Sequence, residues 1–245
     1  MNRYFRLSGL PTLLVILISS TEIYAQEENS LFQGGLYFVS GIPRPEFKEA
    51  VDNNISGLGF GPGFNFLVNP FGKRRSSHIY LGLDLQYLYF GRDKVAKTST
   101  APPYKTSFNY YSVDGLARFY PMQRLGFNIF VDGMVGAKIM NARTKIDKNA
   151  LQTIIADEQD EVISNITDSG LGYGVGIGMF VRKHRDTEDG TEAVPSFSLR
   201  FVYSWGDHVS YVKRGSLAVD NGLVTYKQGY ARTDMFQIQI GVFLF

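Results

Sequence analysis

From residue 31 onward, apolar and polar residues alternate with a period of two, the signature of strands whose two faces meet different surroundings. The clearest segment is Ile79 to Gly91. Its odd positions run Ile79, Leu81, Leu83, Leu85, Tyr87 and Tyr89, while its even positions include Gly82, Asp84 and Gln86. The same alternation recurs in Phe127–Met140 and in Leu171–Val181, where every intervening residue from Gly170 to Gly178 is glycine. It recurs again in Phe197–Trp205, in the Gly57–Phe66 region and in Phe236–Leu244. Weaker examples, Phe32–Ser40 and Ser107–Tyr120, bring the total to eight.

The links between segments alternate as well. Those near 41–56, 91–106, 141–168 and 206–231 are long. Those near 69–77, 121–125 and 183–195 are shorter and carry turn residues: Asn69-Pro70-Phe71-Gly72, Pro121-Met122-Gln123, and Asp189-Gly190 with Pro195. No helical period is longer than Asn149–Ile166. An even strand number with alternating links predicts an all-β chain: an eight-stranded antiparallel up-and-down transmembrane β-barrel with elaborated loops at one end.

Alternation alone does not say which face is outside. The polar phase is dominated by glycine with a few charges of both signs, which suits a crowded interior better than a water-exposed surface. Aromatics collect where strands end: Tyr87, Tyr89 and Phe90; Tyr110 and Tyr111; Phe119 and Tyr120; Tyr203 and Trp205. Such girdles belong at lipid–water interfaces. The apolar phase is therefore expected to face lipid, where ring closure pairs every strand edge.

The N-terminus reads as an export address. Arg3 and Arg6 precede the short apolar run Leu10–Ile18, and Ile23-Tyr24-Ala25 offers a cleavage site before polar Gln26. Residues 1–25 are expected to be a cleaved signal peptide and 26–245 the barrel domain. Losing Arg3, Arg6 and Glu22 takes the formal charge from +2 to +1, which gives no field for nucleic acid. The absence of cysteine excludes disulfides, thiolate metal sites and a lipoprotein anchor. His78, His184 and His208 are too scattered for a histidine metal cluster. No cofactor or metal is expected.

A signal peptide, eight amphipathic strands and terminal Phe245 resemble the small Gram-negative outer-membrane barrels of the OmpA/OmpX type. The Gly- and Tyr-rich strands with long loops are similar, more narrowly, to the PorT-like outer-membrane β-barrel family of Bacteroidetes. The resemblance implies outer-membrane localisation and recognition of the last strand by the barrel-assembly machinery. It also implies a non-catalytic role, presenting loops to an envelope or secretion-system protein. Phe245 falls on the opposite phase from Phe236–Leu244, a departure from the usual terminal signal.

Inward charges are expected at Asp84, Asp114, Arg118, Asp132, Lys138, Arg182 and Arg200. In an eight-stranded lumen these read first as a paired structural plug. A narrow gated polar path is the alternative, as is a glycine-lined cavity between 170–178 and 57–63 for a small hydrophobic ligand. The regular glycine spacing excludes a phosphate-binding loop, which needs uneven glycines between a strand and a helix. His208 and Ser210, with Asp220 downstream, share with lipid-deacylating barrels only the bare His-x-Ser spacing, and a lipid-modifying enzyme is the distant alternative. The third loop holds the acidic cluster Asp157, Glu158, Asp160 and Glu161 beside apolar Leu151, Ile154 and Ile155, read as a solvated face on a short surface helix rather than a Ca²⁺ site. Lys94, Lys97 and Lys105 make the second loop basic and suited to lipopolysaccharide phosphates; Lys73, Arg74 and Arg75 sit in the turn after the second strand.

Overall fold

The chain is described by a computed structural model covering residues 31–51, 57–72, 77–97, 103–122, 127–146, 162–187, 190–213, 216, 218–220 and 223–243. The strands in chain order are β1 (Phe32–Pro43), β2 (Gly59–Val68), β3 (Ile79–Val95), β4 (Tyr104–Met122), β5 (Phe127–Ile146), β6 (Val162–Thr187), β7 (Gly190–Gly206), β8 (His208–Val212), β9 (Ala218–Asp220), β10 (Leu223–Thr225), β11 (Gln228–Arg232) and β12 (Met235–Phe243). One short helix, α1 (Pro45–Val51), follows β1. β1 to β7 and β12 close into an antiparallel ring in the order β1-β12-β7-β6-β5-β4-β3-β2, so sequence neighbours are spatial neighbours throughout. The expected eight-stranded up-and-down barrel is what forms. Closure follows from strand chemistry: each ring strand has a partner on both sides, as hydrocarbon requires.

The apolar phase faces outward. Leu81, Leu83, Val113, Val135, Leu171, Val175, Ile177, Phe197 and Ile240 are all exposed, while Asp84, Asp114 and Asp132 on the opposite phase are buried. No helix among the described residues is long and apolar enough to cross a membrane. The crossing is made by strands.

Several expectations about links and phases are corrected. Val162–Ile166, expected at the end of a surface helix, extend β6 and pair with β5 up to Ile166 opposite Ala142. The link 183–195 is mostly strand: β6 and β7 stay paired out to Thr187 opposite Gly190, with His184 inside the ladder. Pro195 and Pro121, read as turn residues, lie within β7 and β4 where the register shifts. Proline lacks the N–H that a regular ladder requires, so an irregularity accommodates it better than a paired position. The turn Asn69–Gly72 does form: the Gly72 amide donates to the Asn69 carbonyl at 3.2 Å and the Phe71 amide to Asn69 Oδ1 at 2.9 Å. The signal segment 1–25, Lys73 to Arg75, the acidic cluster Asp157 to Glu161 and Phe245 lie outside the described residues, as do the side chains of Arg182 and Asp220.

The aromatic ends also split by phase. Tyr87, Tyr111 and Phe119 face outward as expected, but Phe90, Tyr110 and Tyr120 point inward and are buried. They belong to two apolar layers that close the lumen. At the loop end, α1 turns its Phe47, Ala50 and Val51 (spaced i, i+3, i+4 on one helical face) into the mouth. There Phe47 packs against Phe90 at 5.3 Å and Tyr110 at 6.0 Å between ring centroids. β8 and β11 pair as a small sheet and add Val209, Val212 and Ala231 to the same cluster. At the opposite end, where β1 begins, Tyr80, Tyr120, Phe130 and Phe180 form a second layer, and Phe243 packs tilted against Phe180 at 5.0 Å between ring centroids.

The glycine run of β6 is explained by its partner strand. On the inner face, Phe130 of β5 stands opposite Gly178, Asp132 opposite Gly176 and Met134 opposite Gly174. A Cβ at Gly178 would strike the Phe130 ring, one at Gly174 would lie 3.0 Å from the Met134 methyl, and one at Gly172 would lie 2.6 Å from the Lys138 stem. β2 repeats the device: Gly59 lies under Phe90, and Gly63 under its register partner Tyr37. Large side chains from one strand thus occupy the space its neighbour leaves, and the space beside these glycines, weighed above as an alternative ligand cavity, holds Tyr37, Phe90, Phe130, Met134 and Lys138. Replacing Gly178 or Gly174 by Ala is expected to destabilise the barrel by ~1–3 kcal/mol through overpacking. Gly133→Ala, where an added Cβ meets nothing within 4 Å, should be neutral. Urea unfolding in lipid vesicles, followed through Trp205, checks the contrast.

Candidate functional site

Between the two apolar layers lies a belt of buried charge. Six of the seven expected inward charges meet there: Asp84 from β3, Asp114 and Arg118 from β4, Asp132 and Lys138 from β5, and Arg200 from β7, each no more than a few per cent exposed. Arg182 lies in β6, with its side chain outside the described set. The six balance at three cations and three anions.

Register makes most of the pairs. Arg118 stands directly across the β4–β5 ladder from Asp132 and grips it with both arms of its guanidinium, at 2.8 and 2.9 Å. Lys138 stands across from Ser112 and donates to it at 2.9 Å, and to Asp114 at 2.6 and 2.7 Å. Ser112 itself donates to Asp114. Asp84 and Asp114 are register partners on β3 and β4, an unfavourable juxtaposition of like charge unless each has its own cation. Lys138 serves Asp114, and Arg200 serves Asp84.

The Arg200–Asp84 contact differs from the rest. β7 and β3 are four places apart in the ring in either direction, so this pair spans the diameter of the lumen, with Arg200 Nη1 donating to Asp84 Oδ2 at 2.5 Å. Arg200 Nε also lies 2.7 Å from Asp132 Oδ2, joining the strut to the Arg118 pair by charge contact. Gln239 of β12 accepts from Arg200 at 3.0 Å, and Tyr37, reaching over Gly63, donates to Asp84. Below the belt the Arg118 guanidinium lies 3.8 Å from the centre of the Phe130 ring, a cation–π contact that ties it to the lower apolar layer.

At the loop end, Asp168 clamps the small β8–β11 sheet to the barrel wall. Its Oδ2 accepts from the Ser210 amide at 2.6 Å and its Oδ1 from the Ser169 amide at 2.8 Å. His208 and Ser210 are therefore parts of a docked strand, with His208 in register with Arg232. Asp168 lies beyond Leu171, where the outward face of β6 turns polar, and the Ser210 bonds hold its carboxyl below the usual carboxylate range. His78 bonds through Nδ1 to the Tyr120 carbonyl at 2.7 Å. No group of three His, Cys, Asp or Glu able to hold a metal occurs among the described residues.

The period-two reading missed one feature, on the outer wall. Tyr87 donates to Asn109 at 2.9 Å, Asn109 to Asn141 at 3.3 Å, and Asn141 to Asn165 at 2.6 Å and Thr167 at 2.8 Å. This amide chain crosses β3, β4, β5 and β6 on their outward faces, just above the tyrosines, and floors a groove of about 460 Å³. The available signal was an outward polar residue at matched register on three consecutive strands.

Two outcomes follow from these contacts. Arg200→Met strands a buried Asp84 and is expected to cost ~3–5 kcal/mol, whereas the double variant Asp84→Leu/Arg200→Met recovers most of the loss because Asp132 keeps Arg118. Urea unfolding in vesicles reads both. A carboxyl lowered in the folded state contributes its stabilisation above the ordinary Asp value of about 3.9 and loses it as pH falls through the depressed folded value. Exchange of the Ser210 amide should therefore accelerate in that acid window and become independent of pH-linked release in Asp168→Asn.

No curated protein matches the chain. Among solved structures it is similar to Ail, the attachment invasion locus protein of Yersinia pestis, in complex with the heparin analogue sucrose octasulfate, at 10% identity over 87% of this chain and 96% of that one, with a TM-score of 0.40. It is similar also to Neisserial surface protein A at 13% identity (86% and 94% covered, TM-score 0.39) and to a major outer membrane protein of Thermus thermophilus at 8% identity (86% and 98% covered, TM-score 0.43). Residues 12–188, well over half of the 245, match the family model described as the outer membrane protein beta-barrel domain. The chain, an eight-stranded ring with its apolar phase turned outward, belongs to that family of outer-membrane β-barrels.

Proposed function

We propose that this protein is a non-catalytic, non-conducting scaffold of the outer membrane that displays its loop end to an envelope or secretion-system partner, as the PorT-like resemblance implies. The observation that carries this reading is the diametric Arg200–Asp84 strut, set between two apolar layers. A solute path needs mobile, hydrated polar groups, whereas these charges bond one another. Rigidity of that kind suits a pedestal.

The orientation follows from the asymmetry of the links. Short turns and both ends of the ring lie on one side, assigned to the periplasm. The long links, α1 and the β8–β11 sheet lie on the other, assigned to the cell exterior. Residues 1–25 act as the cleaved export signal. The last ring strand, β12, is offered to the assembly machinery.

Purified protein in planar bilayers is expected to show no steady single-channel openings under applied voltage. Stable, ohmic steps from the wild-type chain would overturn the scaffold reading in favour of transport.

A further inference from the structure

The outer wall above the tyrosines carries a patterned array of positive charge. β3 bulges between Tyr89 and Arg92, at Gly91, whose φ of +96° is strained for any side-chain-bearing residue. The bulge switches the outward phase from odd to even, so that Arg92 and Lys94 leave the barrel on the same side as Tyr87 and Tyr89. Arg92 pairs with Ser107, and Ser107 with Arg143; Lys94 pairs with Lys105, and Lys105 with Lys145. Two rows thus cross β3, β4 and β5 in register, and all five cations face outward. Cations gathered on one face of neighbouring strands make this stretch of wall electrostatically suited to an anion.

Arg143 and Lys145 line the upper wall of the groove floored by Asn109, Asn141 and Asn165, and among the described residues its lining includes no carboxylate. Below, Tyr87 and Tyr111 pack at 5.2 Å between ring centroids, and beneath them begins the apolar band of Leu85 and Val113. From the membrane outward the wall therefore runs greasy, aromatic, amide, cationic. That order matches one kind of molecule standing in the leaflet: acyl chains, then a sugar, then phosphate.

We infer that this groove is a binding site for the phosphorylated sugar headgroup of an outer-leaflet glycolipid, with Arg143 and Lys145 holding the phosphate, the Asn109–Asn141–Asn165 chain facing the sugar, and the acyl chains lying over Leu85 and Val113. Guanidinium and ammonium groups form short charge-assisted bonds to phosphate oxygens, and beside the low-dielectric membrane such bonds are screened little. The inference rests on the orientation proposed above, because only the outer leaflet would supply such a lipid at the loop end.

The test uses the full-length processed protein in detergent, with native mass spectrometry reading bound lipid. The probes are diphosphoryl lipid A, the same lipid without phosphates, phosphatidylglycerol and inorganic phosphate. Diphosphoryl lipid A is expected to bind at one site, and Arg143→Gln/Lys145→Gln to weaken it by about tenfold or more, the loss of at least one charge-assisted bond. Arg143→Lys/Lys145→Arg, which keeps both charges, should retain most of the binding, and every variant must keep the heat-modifiable mobility of the folded barrel. Equal binding of the dephosphorylated lipid, equal binding of phosphatidylglycerol, capture of inorganic phosphate alone, or no effect of the double Gln variant would each overturn the inference. Orientation is read separately, by labelling Ser216→Cys in intact cells with an impermeant thiol reagent, since the chain has no other cysteine. Labelling without lipid binding sinks the glycolipid site and leaves the orientation standing. Lipid binding without labelling sinks the orientation.

Discussion

In hydrocarbon a backbone amide has no water to fall back on, and that constraint shapes the rest of this molecule. A strand can satisfy it only if both of its edges are paired, so the ring must close. Closing with eight strands leaves an interior about as wide as a few side chains. Everything inside then competes for little space, and any charge placed there is stripped of solvent. The paired belt, the glycine faces and the two apolar layers are all consequences of that narrowness.

The belt meets the desolvation problem by distributing it. Arg118–Asp132 and Lys138–Asp114 join neighbouring strands and add side-chain bonds to ladders that already exist. Arg200–Asp84 joins opposite walls, where no backbone bond runs, and fixes the cross-section of the barrel. The aromatic layers above and below keep water from loosening these pairs. Glycine makes the arrangement sterically possible, since Tyr37 reaches Asp84 only by passing over a residue without a Cβ. Polar and apolar parts of the lumen thus form one device: the apolar layers raise the strength of the pairs, and the pairs hold the walls at the spacing the layers fill.

The outer surface obeys a different solvent in each zone. The lipid-facing band is dominated by apolar side chains, and the tyrosines and Phe119 mark its edges. Beyond it, on β3 to β6, the wall becomes an amide floor and then a row of cations. Both α1 and the β8–β11 sheet belong to the loop end, where Asp168 anchors Ser210, so the mouth is closed by loop elements rather than by the strands alone.

By itself the sequence determined the class of fold, the number and antiparallel course of the barrel strands, the outward apolar phase, and six of the inward charges. All of these follow from a period of two, which survives any detail of packing because each strand has only two faces. Tertiary structure decided which charge meets which, since Arg200 and Asp84 are 116 residues apart and become neighbours only when the ring closes. It decided the phase of Phe90, Tyr110 and Tyr120, whose aromatic character fits a girdle and a lumen layer equally well. It decided where strands continue past Pro121 and Pro195, because a bulge hides a proline that local rules assign to a turn. It also decided that Arg92 and Lys94 face outward, because one residue in a left-handed conformation at Gly91 reverses every side chain after it, and alternation read along a single strand carries no mark of such a reversal.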